Sequence, residues 1–158
     1  MIGKSLKFIA TSIVLLPISA FGNPTVLEMA IGQSDRDFVE SKYEVVYQAA
    51  ITNVRKTVYE LPVDQVDPDS LYAGNKLIEI ALCFNDNSIL SDIHLVYETW
   101  DFSQAVSTLD ARFNINAEEY PAYGLRSVLY SWPDYSVVCF TALDSGFTHV
   151  IFASDVGE

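Results

Sequence analysis

Four side chains in this sequence are equipped for chemistry: Cys83, His94, Cys139 and His149. They fall as two Cys-then-His pairs, with ten residues inside the first pair and nine inside the second. Two thiols and two imidazoles are the donor set of a tetrahedral zinc site. Such sites usually take their ligands from close pairs of the C-x2-C kind, and neither interval here has that form, so no metal is expected. Because the first 22 residues read as an export leader, the first expectation for two cysteines is a disulfide. A Cys83–Cys139 bond would close about 57 residues and stabilise the fold by about 4 kcal/mol on chain-entropy grounds. It would also need the two Cα atoms within about 7 Å. Two buried free thiols, packed as small hydrophobes, are the alternative.

Other candidate chemistry is thinner. Asp64, Asp67 and Asp69 in PVDQVDPDS suggest calcium, but the spacing lacks the alternate ligands, the glycine and the closing glutamate of a calcium loop. A solvated acidic loop is the better reading. Glu118 and Glu119 are adjacent, and nothing in the sequence sets them across a cleft as a glycosidase needs. The chain has no G-x-S-x-G, H-E-x-x-H, S-x-x-K or phosphate-loop motif. No catalytic residue and no cofactor are assigned.

The elements that must position the Cys and His pairs come twice. Ser34 followed by Asp35 and Asp37 opens a helix expected from about Asp35 to about Gln48, with Phe38, Val39 and Tyr43 as a partial apolar stripe. Strands are expected over Val54–Leu61, Lys76–Phe84 and Ile93–Trp100, with a loop over Pro62–Asn75. The second half repeats the order. Asp101 or Ser103 caps a helix carrying Val106, Leu109 and Phe113 on one side, and strands follow over Leu125–Trp132, Tyr135–Ala142 and Phe147–Ser154. Helix and first strand repeat at 70 to 71 residues, while the Cys and His pairs repeat at 56 and 55. The longer Pro62–Asn75 loop in the first copy accounts for the change. The fold class expected is α+β: two αβββ repeats, about 34–100 and 101–155, forming antiparallel sheet with helices packed on one face.

This layout resembles the tandem helix-plus-antiparallel-sheet plan of the β-lactamase-inhibitory-protein fold. The segment GQSDRDFVESKY resembles the Gly-x-Thr/Ser-x-x-x-Val helix opening of BamE/SmpA-type outer-membrane assembly lipoproteins, although the chain lacks their lipid-bearing cysteine. The resemblance implies the element order and no site residues. Strand alternation then sorts side chains between faces. Ile78, Ile80, Leu82 and Phe84 share one side of their strand, as do Val138 and Phe140 in the second copy, and these rows are expected to be core. Cys83, Cys139, His94 and His149 are expected on the less covered face. Tyr59, Glu79, Glu98, Tyr130 and Trp132 near that face are, with the two histidines, the candidate binding residues.

The ends and the charge bound the function. Lys4 and Lys7, an apolar run Phe8–Phe21 too short to span a bilayer, and Ala20-Phe21-Gly22 before Asn23 read as a cleaved secretory signal peptide. One domain is expected from residue 23 to 158, periplasmic or secreted, with no stable membrane insertion after cleavage. All 21 acidic residues and seven of the nine basic ones follow the leader, leaving a net charge of −14 there. Such a surface repels nucleic acid and attracts basic proteins. The reading this favours is a non-catalytic protein-binding module, an inhibitor or immunity protein for a basic partner. A cell-envelope assembly accessory is the alternative, with a periplasmic hydrolase behind it.

Overall fold

The computed structural model describes residues 25–67, 74–98 and 100–154. The leader read in residues 1–22 and Asp69 of the acidic loop lie outside the described residues.

The first element carries no helical or strand period in the sequence. It is a small hairpin of β1 (Thr25–Val26) and β2 (Met29–Ala30). Leu27 and Glu28 at its tip both have positive φ, 54° and 62°, which a two-residue turn needs if its twist is to match its strands. What holds it is burial: Val26, Met29 and Ile31 sit in the main core. Lys42 reaches back to Glu28 at 2.5 Å, and the Tyr43 hydroxyl donates to the Leu27 carbonyl.

Helix α1 (Arg36–Lys42) is shorter than its sequence stripe suggests, and its cap is Asp35, whose carboxylate accepts from the Phe38 amide at 2.8 Å. Ser34, the expected cap, instead accepts from the Ala30 amide and closes the turn after β2. The residues expected to extend the helix form β3 (Val46–Ile51), a strand exposed along its whole length. β4 (Lys56–Glu60), β5 (Lys76–Phe84) and β6 (Leu90–Glu98) complete this half. The other half opens with α2 (Phe102–Phe113), whose cap Asp101 accepts from the Gln104 amide and whose end is marked by Asn114 in the left-handed region. It continues through β7 (Glu118–Glu119), β8 (Leu125–Ser131), β9 (Tyr135–Ala142) and β10 (Phe147–Ser154). Each half thus supplies a helix and four strands, one strand more than the αβββ unit expected.

The eight longer-range strands form one antiparallel sheet in the order β3-β4-β5-β6-β10-β9-β8-β7, so the fold is α+β with sheet predominating. The halves meet at the central β6–β10 pair, where Leu95 lies opposite Val150. From that pair a buried row runs across five strands: Ile80, Leu95, Val150, Cys139 and Val128. A second row holds Leu82, Ile93, Phe152, Val137 and Tyr130. Val39 of α1 and Ala105 and Leu109 of α2 are buried in the same cluster. Each large apolar side chain so covered contributes about 1.5–3 kcal/mol of transfer free energy, before the entropy of ordering it.

Two face assignments from alternation are corrected by this register. Ile78, expected in the core, is the extra residue of a β-bulge between the Leu77–Tyr97 and Glu79–Val96 pairs and is exposed. In β9 the parity is the reverse of that expected: Val137 and Cys139 face the core, while Val138 and Phe140 face away from it.

Candidate functional site

The sheet face away from the core is built by the alternate residues of the same strands. At its centre β6 presents His94 and β10 presents His149, diagonal neighbours because His94 lies opposite Ile151 and His149 opposite Val96. Their rings touch: His94 Nε2 is 3.0 Å from His149 Nδ1. One nitrogen of this contact must carry a hydrogen and the other a lone pair, so the pair is held together only while it is not doubly protonated. Phe140, directly across from His149 on β9, stacks on its ring at 4.6 Å and 2°. Ala81, Val138 and Ile151 extend the face around the pair as half-buried apolar groups, and Val96 beside His149 is nearly covered.

Burial is the main electrostatic influence on both rings. It pushes His94 down to about 4, with the neighbouring His149 adding to the effect. His149 is also lowered by burial, opposed by the carboxylate of Glu79, which stands one strand beyond Val96. At neutral pH this is therefore an uncharged imidazole pair set in an apolar and aromatic surround. Towards β4 the face becomes polar: Lys56 pairs with Asp92 at 2.8 Å, the Ser91 hydroxyl donates to Asp92, and Cys83 lies opposite Asp92. Burial, then the charge of Asp92, raises the Cys83 thiol to about 11, so it is not a thiolate at neutral pH.

Of the residues singled out from sequence, Glu79, His94, Glu98 and His149 share this face, with Glu98 paired to Lys76. Tyr59, Tyr130 and Trp132 do not. Tyr59 packs edge-on against Phe84 on the core side and accepts from Arg36. Tyr130 is buried and donates to Asp110 and the Val106 carbonyl of α2, and Trp132 packs between Phe113 and Tyr135. Phe140 was assigned to the core by alternation and belongs instead to the site. The signal that could have placed it is its pairing with His149 across a four-residue turn, which fixes both on one face.

The expected Cys83–Cys139 disulfide is not made; both thiols are free. Cys83 is on the His face of β5, Cys139 is in the core on β9, and β6 and β10 lie between them. Matching the two expected repeats by their cysteines sets Cys83 on Cys139. Yet the residue that lines up with Cys139 through Val150 and Leu95 is Ile80. A slip of three residues is odd, and an odd slip turns a side chain to the opposite face. The thermal midpoint is accordingly expected to be the same with and without dithiothreitol, and denatured, unreduced protein should titrate with two thiols per chain. A midpoint that falls on reduction, as loss of about 4 kcal/mol would require, contradicts the register.

Among the described residues, no group of three or more His, Cys, Asp or Glu side chains is placed to hold a metal ion. No family model, no curated protein and no solved structure matches the chain.

Proposed function

We propose that the chain is a non-catalytic protein-binding module that receives a basic partner on the face centred on His94, His149 and Phe140. The observation that carries this reading is the make-up of that face: an apolar and aromatic centre with an uncharged imidazole pair, with Glu79 beside it and the Lys76–Glu98 and Lys56–Asp92 ion pairs at its rim. Aromatic groups in a desolvated centre with a polar rim are the usual composition of a recognition surface. The net charge of −14 on the part after residue 22 favours a cationic partner. A periplasmic or extracellular place of action follows from the leader in residues 1–22, and inhibition of a basic secreted enzyme or toxin fits both features.

We also infer that residues 34–100 and 101–155 are copies of one unit with helices on a common side. The central register supports this. His94 and His149 are 55 residues apart, and so are Leu95 and Val150. A local two-fold axis through the Leu95–Val150 pair would exchange His94 with His149 and Val96 with Ile151. The pairs His94–Ile151 and Val96–His149 are related in that way. Duplication then explains why the candidate site holds two histidines, one from each copy.

Immobilised protein should capture a basic protein from a periplasmic or secreted extract, and capture should weaken as salt rises from about 50 mM to about 500 mM. Phe140→Ala, which truncates the aromatic at the centre of the face, should lower affinity by about tenfold or more. Capture that ignores both salt and this substitution would place the partner elsewhere.

A further inference from the structure

The two edges of the sheet are treated differently. One edge is β7, a two-residue strand made of two glutamates, Glu118 and Glu119. Short length and charge are how proteins prevent an edge strand from pairing with another chain. The other edge is β3, Val46-Tyr47-Gln48-Ala49-Ala50-Ile51, which is three times as long, has neither charge nor proline, is interrupted by one irregularity between Tyr47 and Ala49, and is exposed at every position. Val46 and Tyr47 are each more than half exposed, and Ile51 and Val54 add to the same apolar strip.

We propose that β3 is a dimerisation edge, pairing antiparallel with β3 of a second copy so that two sheets join into one. The occupant is a second copy because the strand is complementary to itself. Pairing about the Gln48–Ala49 centre sets Val46 beside Ile51 of the second copy and Tyr47 beside its Ala50. The first two lie on one face of the sheet, that of their β4 partners Glu60 and Lys56. The second two lie on the other face, that of Tyr59 and Thr57. The irregularity between Tyr47 and Ala49 is what brings Val46 and Ile51 onto the same side despite their odd separation. Each bulky side chain thus meets a partner on its own face, with small Ala50 opposite Tyr47. Main-chain hydrogen bonds supply the affinity in strand addition, and the alternate side chains supply its register. This inference is independent of the binding face, which lies in the middle of the sheet.

Sedimentation velocity across a range of concentrations tests it. A six-residue strand contact is small for a stable interface, so a monomer–dimer equilibrium with a dissociation constant of about 10 μM is expected. Because each copy is strongly acidic, added salt should strengthen this association, opposite in sign to the effect on a basic partner. Ala49→Lys and Ala50→Lys each place a charge on the outer edge, one on either face, at side chains that are exposed. Each should weaken dimerisation at least tenfold while leaving the circular dichroism unchanged, and the thermal midpoint too when it is measured well below about 10 μM, where wild type and variant alike are monomers. Glu119→Lys at the guarded edge should leave dimerisation as it is. A wild-type chain that stays monomeric throughout, or lysine variants of native fold that dimerise like the wild type, would overturn the proposal.

Discussion

Leu95→Ala is expected to lower the unfolding free energy by about 3 kcal/mol, within the range for truncating a buried leucine to alanine. Leu95 is fully buried on an inner strand, in the row Ile80–Leu95–Val150–Cys139–Val128 that crosses from one half of the chain to the other. Its neighbours along the row belong to hydrogen-bonded strands and cannot close in on the space it leaves, so both a transfer penalty and a cavity penalty apply. Urea unfolding should show a lower midpoint with an unchanged slope. Val46→Ala supplies the contrast: on exposed β3 it should shift stability by less than about 0.5 kcal/mol. A Leu95→Ala effect as small as that would mean the halves do not share one core.

Acid is the second large perturbation. His94 takes up a proton only near pH 4 in the folded chain, against the ordinary 6.5 once unfolded. Between those values the unfolded state binds the extra proton and the folded state does not, so stability rises with pH across the window. It is fully present above about pH 6.5 and is lost as the pH falls towards 4. The whole shift taken at face value would exceed 3 kcal/mol. Because the ring is partly exposed and screened by solvent, about 1–2 kcal/mol is the loss to expect. His149, also held down by burial, acts in the same direction, while Glu79 opposes it there. Glu28, whose carboxyl is lowered by its bond with Lys42, loses its contribution only at lower pH, so it does not mask the histidine window. His94→Phe keeps an apolar ring in place and removes the titration. The difference in unfolding free energy between wild type and this variant should therefore shrink or reverse in the variant's favour between pH 7 and pH 4.5. A difference that does not change with pH would show that His94 is not held neutral by its surroundings.

Much of the scaffold was legible from residues alone, and the places where it was not have particular causes. Helix α2 could be read because Asp101 offers a carboxylate at its start and its buried positions recur at helical spacing. The hairpins β5–β6 and β9–β10 could be read from turn residues between apolar runs, whereas the central β6–β10 pair could not, because the expected disulfide would have set β5 beside β9. Helix α1 was overextended because Phe38, Val39 and Tyr43 continue a stripe, although Tyr43 already has extended backbone and ends the helix. Strand β3 buries neither face, so no period-two pattern could announce it. Strand β9 has the opposite difficulty. Val137, Val138, Cys139 and Phe140 are apolar on both faces, so alternation could not say which way Cys139 points. The placement of Phe140 failed at this ambiguity; the disulfide expectation failed there and also because β6 and β10 separate the two cysteine-bearing strands. The N-terminal hairpin depends on two non-glycine residues in left-handed backbone, Leu27 and Glu28, which turn propensities do not favour.

The candidate site stands on two imidazoles, one from each half, held in contact on an apolar face, and an NMR titration of the histidine ring resonances interrogates that contact directly. His94 should titrate near pH 4 and His149 below the ordinary histidine value, and replacing His149 with phenylalanine should move His94 upward by removing its charged neighbour. Two rings that titrate independently near pH 6.5, each indifferent to loss of the other, would mean that the histidines do not meet and that the face built around them is not there.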